Sequence, residues 1–159
     1  MATLETIAIH ESGHAAVRLA LGLDVSRVWI NGTTNSGCTE HSGNTSRPFE
    51  TAVACLAGAV AVHHLLPDAN ATFGAYNDYR DACDALRLIN THPAALAALL
   101  DNAYRHVDTL VQRHTGAIRA IADVLLECPV LSGARVARLF RASHPDRRSM
   151  ERWPVSVYP

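Results

Sequence analysis

The stretch that decides the fold runs from Leu4 to Gly22 and reads LETIAIHESGHAAVRLALG. Apolar residues recur in it at spacings of three and four, as at Leu4, Ile7 and Val17. That spacing places them on one face of an α-helix, and a glycine directly after the pattern is a typical C-terminal cap. The stretch therefore predicts an amphipathic helix over residues 4–21, closed by Gly22.

His10, Glu11 and His14 within this helix form an H-E-x-x-H motif. Histidines four positions apart on a helix lie one turn apart on the same face, where both can bind one metal ion. The histidine and glutamate content of these 159 residues would produce the pattern by chance roughly 0.02 times. Chance is a poor explanation, and the motif predicts a metal site.

Zinc is the metal that this donor set favours, because it binds neutral imidazole and, in catalytic sites, takes three protein ligands and a water. The ion lowers the pKa of that water toward about 7, and a neighbouring carboxylate can take its proton and later return it to a leaving amine. We therefore expect Zn2+ as cofactor, Glu11 as general base and peptide hydrolysis as the reaction.

A third protein ligand must come from elsewhere in the chain, since two histidines do not complete such a site. Asp, Glu or His would each serve. Spacing alone leaves the choice open, because the fold would bring in any of these candidates: Glu40, His41, Glu50, His63, His64, Asp78 and Asp81.

The rest of the chain is predicted to be mainly helical. The β-rich segment Val25–Glu40, with its Asn-Gly and Ser-Gly turn signals, indicates a strand or hairpin and is the one region predicted as β. Further helices are expected over 48–66, about 78–89 with Asn77 or a neighbour as N-cap, 93–113, 115–127 and 132–141, with Ser132 as N-cap of the last. The fold class is thus mainly α: a single helical domain with a small β-sheet or hairpin after the first helix.

The amino-acid composition argues against several classes of function. All fourteen basic residues are arginine, so the chain has neither a P-loop lysine nor a Schiff-base lysine. The formal net charge of −1 gives no general attraction for nucleic acid or an anionic membrane. The apolar run 52–62 is far shorter than the ~20 residues of a membrane span. With no leader-like N-terminus, a cytoplasmic location is expected, with neither nucleic acid nor membrane as partner.

Several segments together resemble the peptidase domain of FtsH-type ATP-dependent zinc proteases. The first is His10–Ala15, which is followed by the strand segment Val25–Ile30. Leu56-Ala57-Gly58 and then Gly74-Ala75-Tyr76-Asn77-Asp78 are similar to a glycine-containing helix and a Gly-Ala-x-Asn-Asp segment of that family. The segments 121–127 and 131–136 resemble its closing pair of helices.

This resemblance, over about residues 5–141, implies that His10, His14 and Asp78 are the zinc ligands and Glu11 the general base. It implies an FtsH-like peptidase domain over residues 1–142, followed by a loosely ordered tail over 143–159. The membrane segments and the ATPase module of the family have no counterpart here. Expected partners are a peptide or unfolded protein substrate and either further copies of the chain or a separate ATPase.

Two other functions fit the same residues. One is a non-catalytic, zinc-stabilised module derived from a peptidase domain, which binds proteins as an adaptor or antagonist. The other is hydrolysis of a non-peptide amide, for which zinc and a glutamate would serve equally. If the substrate is a peptide, Val28–Cys38 is the segment expected to offer it a strand edge above the zinc.

Overall fold

The first helix, α1 (Leu4–Ala20), lies at the centre of the molecule. The computed structural model describes residues 2–42, 46–69 and 74–143. Thr3 caps α1, its hydroxyl accepting a hydrogen bond from the Thr6 N–H. Two helices, α2 (Pro48–Leu65) and α5 (Thr115–Glu127), and a small sheet pack around α1, so twelve of its seventeen residues are buried. The predicted helix is confirmed, but polar as well as apolar positions lie inside.

A second helix, α2 (Pro48–Leu65), packs against α1 on one side and against α3 (Ala75–Arg87) and α4 (Pro93–Arg113) on the others. Proline begins both α2 and α4, where its missing N–H leaves no intrahelical bond unmade. By length and apolar composition α2 could cross a membrane, but half of it is buried inside the fold. Its composition is accounted for by this central place in the core.

The small sheet has three antiparallel strands in the order β2-β1-β3. Strands β1 (Arg27–Asn31) and β2 (Ser36–Glu40) form the predicted hairpin, with Ile30 opposite Gly37. Val28 and Ile30 alternate toward the core and are buried beside α1. Strand β1 is paired on both sides. Of the predicted edge segment Val28–Cys38, only the part in β2 therefore lies at an edge of the sheet.

The third strand, β3 (Val130–Ser132), contradicts the prediction of a single β region. It pairs with β1, which places Leu131 opposite Val28 in the core. The next residue must be glycine: a Cβ on Gly133 would lie 1.8 Å from the Val25 carbonyl oxygen. Three residues between two helices carry too little periodicity to be recognised as a strand, which is why this pairing was not predicted.

The last helices are α5 (Thr115–Glu127) and α6 (Gly133–Ala142). Ser132 caps α6 as predicted, accepting a hydrogen bond from the Arg135 N–H. The prediction for α3 was wrong at its start: the N-cap is Gly74, and the helix begins three residues before Asp78. The proposed tail lies outside the described residues except for Ser143. The described residues form one mainly helical domain with a small sheet, as the sequence predicts.

Candidate metal centre and its cleft

Helix α1 carries three residues of the candidate centre into the interior. His10 and Glu11 are only 2% and 4% exposed, and His14, one turn further along, is largely buried. The close packing of α1 on α2 is possible because residue 13 is glycine: a Cβ there would lie 2.6 Å from the Ala61 Cβ. This packing buries polar side chains of α1 in the core, where an unpaired polar group is unfavourable.

Asp78 comes from α3 and meets the two histidines from the other side. Gly74, at φ +68°, takes the left-handed conformation that begins α3, and this places Asp78 in the first turn of the helix. A Cβ on Gly74 would lie 2.8 Å from His10 Nε2, so glycine is needed both for the turn and for the close approach. The glycine in the Gly-Ala-x-Asn-Asp segment is therefore part of the site.

Three donor atoms converge on one point. His10 Nε2 lies 3.0 Å from His14 Nε2, and Asp78 Oδ2 lies 3.0 Å from the first and 3.4 Å from the second. Donor atoms of a tetrahedral ion with bonds of about 2.0 Å lie about 3.3 Å apart. These three residues form a group that can hold a metal ion.

The contact of Asp78 with the histidines fits a shared ion better than a hydrogen bond. Although Asp78 Oδ2 is buried and 3.0 Å from His10 Nε2, it accepts no well-directed hydrogen bond from any described residue. On the far side of the other ring, His14 Nδ1 lies 2.8 Å from the Ala54 carbonyl oxygen, to which it must donate. That bond fixes the tautomer and leaves the Nε2 lone pair for a metal.

The charges of the group are those of a cation site. Burial alone would lower the pKa of His14, but contact with Asp78 and the charges of Asp78 and Glu11 raise it to about 9. Burial alone would raise the pKa of Asp78, but its contacts with His10 and His14 hold that pKa well below its usual range. In the metal-free protein a proton therefore occupies the place that a metal ion would take.

Glu11 points into the same cleft and is held by the edge strand. The hydroxyl of Thr39 on β2 donates to Glu11 Oε2 at 2.9 Å and lies equally close to the Glu11 carbonyl oxygen. Gly37, also on β2, leaves room for the carboxylate, because a Cβ there would lie 2.7 Å from Glu11 Cγ. The side chain is thus fixed beside the three donor atoms without being one of them.

The cleft over these residues has a volume of about 490 Å³. Its walls are α1, the start of α3 and the edge strand β2 with the preceding Asn35. Two thiols also line it, Cys38 and Cys55. Burial, together with nearby carboxylates, raises the pKa of Cys38 and raises that of Cys55 to about 12, so neither is a thiolate nucleophile at neutral pH.

The other candidate ligands lie away from the donor group. Glu40 pairs with Arg27 and accepts from the Trp29 indole, Glu50 pairs with Arg47, and His64 contacts Asp108. His63 lies beside His64 on the exposed end of α2. His41 and Asp81 line the cleft but do not join the three donor atoms.

Comparison with known proteins adds no assignment. No protein-family model matches the chain, and a search of curated proteins finds no match to it. The FtsH-like resemblance therefore stays a prediction that rests on the quoted residues.

Two polar residues of this cleft, Thr39 and Arg18, were not predicted from the sequence. Thr39 carried no signal, because a threonine in a β-rich segment is ordinary. Arg18 did carry one: it follows His14 by four residues, as His14 follows His10, so helical spacing alone places all three in one row.

Proposed function

We propose that the chain is a zinc-dependent endopeptidase of the FtsH-like type that cleaves peptides or unfolded protein chains. One observation carries the proposal: Glu11, buried and hydrogen-bonded, shares a cleft with three convergent donor atoms from His10, His14 and Asp78. Structural zinc sites are usually closed by four protein ligands, whereas catalytic sites have three and an open position. Three protein donors beside a carboxylate in an open cleft fit the second class.

His10, His14 and Asp78 would hold the ion, with His14 oriented by its bond to Ala54. A zinc ion held there would supply Lewis-acid chemistry, which activates water for attack on a carbonyl. Glu11 takes the proton of the attacking water and returns it to the amine that leaves. Thr39 holds the Glu11 carboxylate in place through its hydroxyl during both transfers.

The edge of β2 supports a peptide as substrate. One side of β2 pairs with β1, and its residues from Ser36 to Thr39 line the cleft. An extended chain added to this edge would have its backbone hydrogen-bonded next to Glu11 and the donor group. A backbone held in this way is unfolded, so the expected substrates are peptides, unstructured tails and chains unfolded by another protein.

Partners and location follow from the same proposal. With no lysine for a P-loop, the chain itself hydrolyses no ATP by that route, and a separate ATPase or other copies of the chain would deliver folded substrates. The expected setting is the cytoplasm.

Zinc content and cleavage of an unfolded protein such as casein test the proposal together. The wild type should hold one zinc and cleave, and a chelator should abolish cleavage. Asp78→Asn should lose both, while Asp81→Asn serves as the matched control because Asp81 lies on the same helix and lines the same cleft. Zinc without cleavage would favour the protein-binding module, and a metal-supplemented wild type without zinc would refute the proposal.

A further inference from the structure

Arg18 is a buried cation in the cleft, and the described residues use little of its hydrogen-bonding capacity. Its side chain is 5% exposed, and it lines the same cleft as the donor group. A guanidinium has five N–H donors. Among the described residues Arg18 makes one hydrogen bond, from Nε to the Asp24 carbonyl oxygen at 2.8 Å. No other described residue takes the remaining donors, which leaves them to a ligand in the cleft.

Asp24 neutralises this charge only in part. Its Oδ1 lies 3.7 Å from Arg18 Nη2, beyond hydrogen-bond distance, and its Oδ2 accepts from both the backbone N–H and the hydroxyl of Ser42. The Asp24 carboxylate is also 43% exposed, so water screens its attraction. Burial lowers the pKa of Arg18, and the charge of Asp24 does not offset that effect.

At the same end of α1, Arg47 uses three of its five N–H donors on the protein itself. Its Nη1 donates to the Leu21 carbonyl oxygen at 2.8 Å, and its Nε and Nη2 both donate to Glu50 Oε1. It does not line the cleft. Holding the end of α1 therefore needs no free guanidinium edge inside the cleft, and Arg18 differs from Arg47 in having one.

We propose that Arg18 forms a subsite for a carboxylate of the substrate, supplied either by its C-terminus or by an Asp or Glu side chain. The guanidinium fork matches a carboxylate in geometry and in charge. His41, at the mouth of the same cleft, adds a neutral imidazole, since burial and the charge of Arg18 lower its pKa. The subsite rests on the proposed function, because it selects among peptides bound at that centre.

The position of Arg18 sets where this carboxylate lies in the substrate. Four residues of helix rise about 6 Å, so Arg18 is that far along α1 from His14. One residue of extended chain spans about 3.3–3.6 Å. The carboxylate is thus expected about two residues from the bond that is cleaved.

Peptide binding to the zinc-loaded Glu11→Gln variant tests the subsite without cleavage. One N-terminally blocked peptide is compared as free acid and as amide, and the amide is then scanned with Asp against Asn at each position. We expect the acid to bind about tenfold more tightly than its neutral counterpart in one of these two arms. The arm that shows the preference identifies the source of the carboxylate.

Adding Arg18→Met should reduce that ratio to about one, and adding Arg47→Met should leave it unchanged. A ratio of one in the Glu11→Gln protein overturns the subsite without any Arg18 variant, so a misfolded Arg18→Met protein does not protect the proposal. Equal losses in the two arginine variants overturn it as well. If the wild type cleaves nothing but peptide binding depends on Arg18, the peptidase proposal fails and the subsite stands. If the wild type cleaves but shows no preference for a carboxylate, the subsite fails and the peptidase proposal stands.

Discussion

His14 is fixed at both nitrogens, which makes its proton the main competitor of the metal. Nδ1 donates to Ala54, and Nε2 faces Asp78 and His10. With a pKa of about 9 in the metal-free site, this imidazole is protonated at neutral pH. A metal must displace that proton before it can bind.

Zinc affinity should therefore rise with pH over the whole range from 6 to 8. Below the His14 pKa of about 9, each unit of pH strengthens binding by about tenfold for that one proton. Competition with a chelator of known affinity at pH 6, 7 and 8 measures the slope. An affinity that does not change with pH would contradict the proton's place in the site.

Thr39 should matter for catalysis and not for zinc binding, because it touches Glu11 and no donor atom of the metal group. Thr39→Val removes a hydrogen bond to a charged group, worth about 1.5–3 kcal/mol. We expect kcat/KM to fall at least about tenfold with zinc content unchanged. Thr39→Ser keeps the hydroxyl and should restore most of the activity; a Val variant as active as wild type would refute the role.

At this scale the sequence predicted His10, Glu11 and His14 because their chemistry and their spacing coincide within one helix. Asp78 was reached only through the resemblance, since a first-turn aspartate is ordinary by itself. Thr39 could not be predicted, because its partner lies 28 positions away and the strand register brings them together.

The elements meet closely at the site because glycines remove the side chains that would separate them. Gly58 on α2 faces both imidazoles of α1: a Cβ there would lie 2.5 Å from His14 Nε2 and 2.6 Å from His10 Nε2. Those nitrogens are the donor atoms themselves. The close packing of α2 on α1 and the positions of the two donor nitrogens therefore depend on the same glycine.

Gly58→Ala should weaken zinc binding on the order of a hundredfold, because the methyl group displaces both rings. Gly116→Ala is the matched control: it too lies within a helix, and nothing lies within 4 Å of the added Cβ. That variant should keep zinc affinity and raise the free energy of unfolding by about 0.5–1 kcal/mol. Zinc titration and urea unfolding of both proteins measure this, and wild-type affinity in Gly58→Ala would show that the space is not needed.

Element prediction succeeded where local signals were long or sharp. The proline at the start of α4 and the apolar spacing in α1 gave helices close to the observed ones. It failed at β3, whose three residues are strand only because β1 lies beside them. The start of α3 was misplaced because a left-handed glycine at residue 74, and not the side chain of Asn77, begins the helix.

At the scale of the whole molecule, a metal ion would link α1 directly to α3, two helices that are otherwise connected mainly through α2. Two ligands lie on α1 and one on α3, while the main neighbours of α3 are α2 and α4. Zinc at a thousand times its Kd would add about 4 kcal/mol to the stability of the folded state. For a chain of this size that is a rise in Tm of roughly 10 °C.

Differential scanning calorimetry with zinc and with a chelator measures this rise. Asp78→Asn should lose most of the shift because it removes the only ligand on α3 among the described residues. A Tm that zinc leaves unchanged in the wild type would contradict an ion shared by the two helices.

Glu11 is either the base of a zinc peptidase, as we propose, or a buried carboxylate in a binding module. The most direct measurement is the rate of casein cleavage by zinc-loaded Glu11→Gln relative to wild type at equal zinc content. We expect Glu11→Gln to keep its zinc and to lose cleavage by at least about a thousandfold. Cleavage at the wild-type rate by the zinc-loaded variant would contradict the proposed role of Glu11.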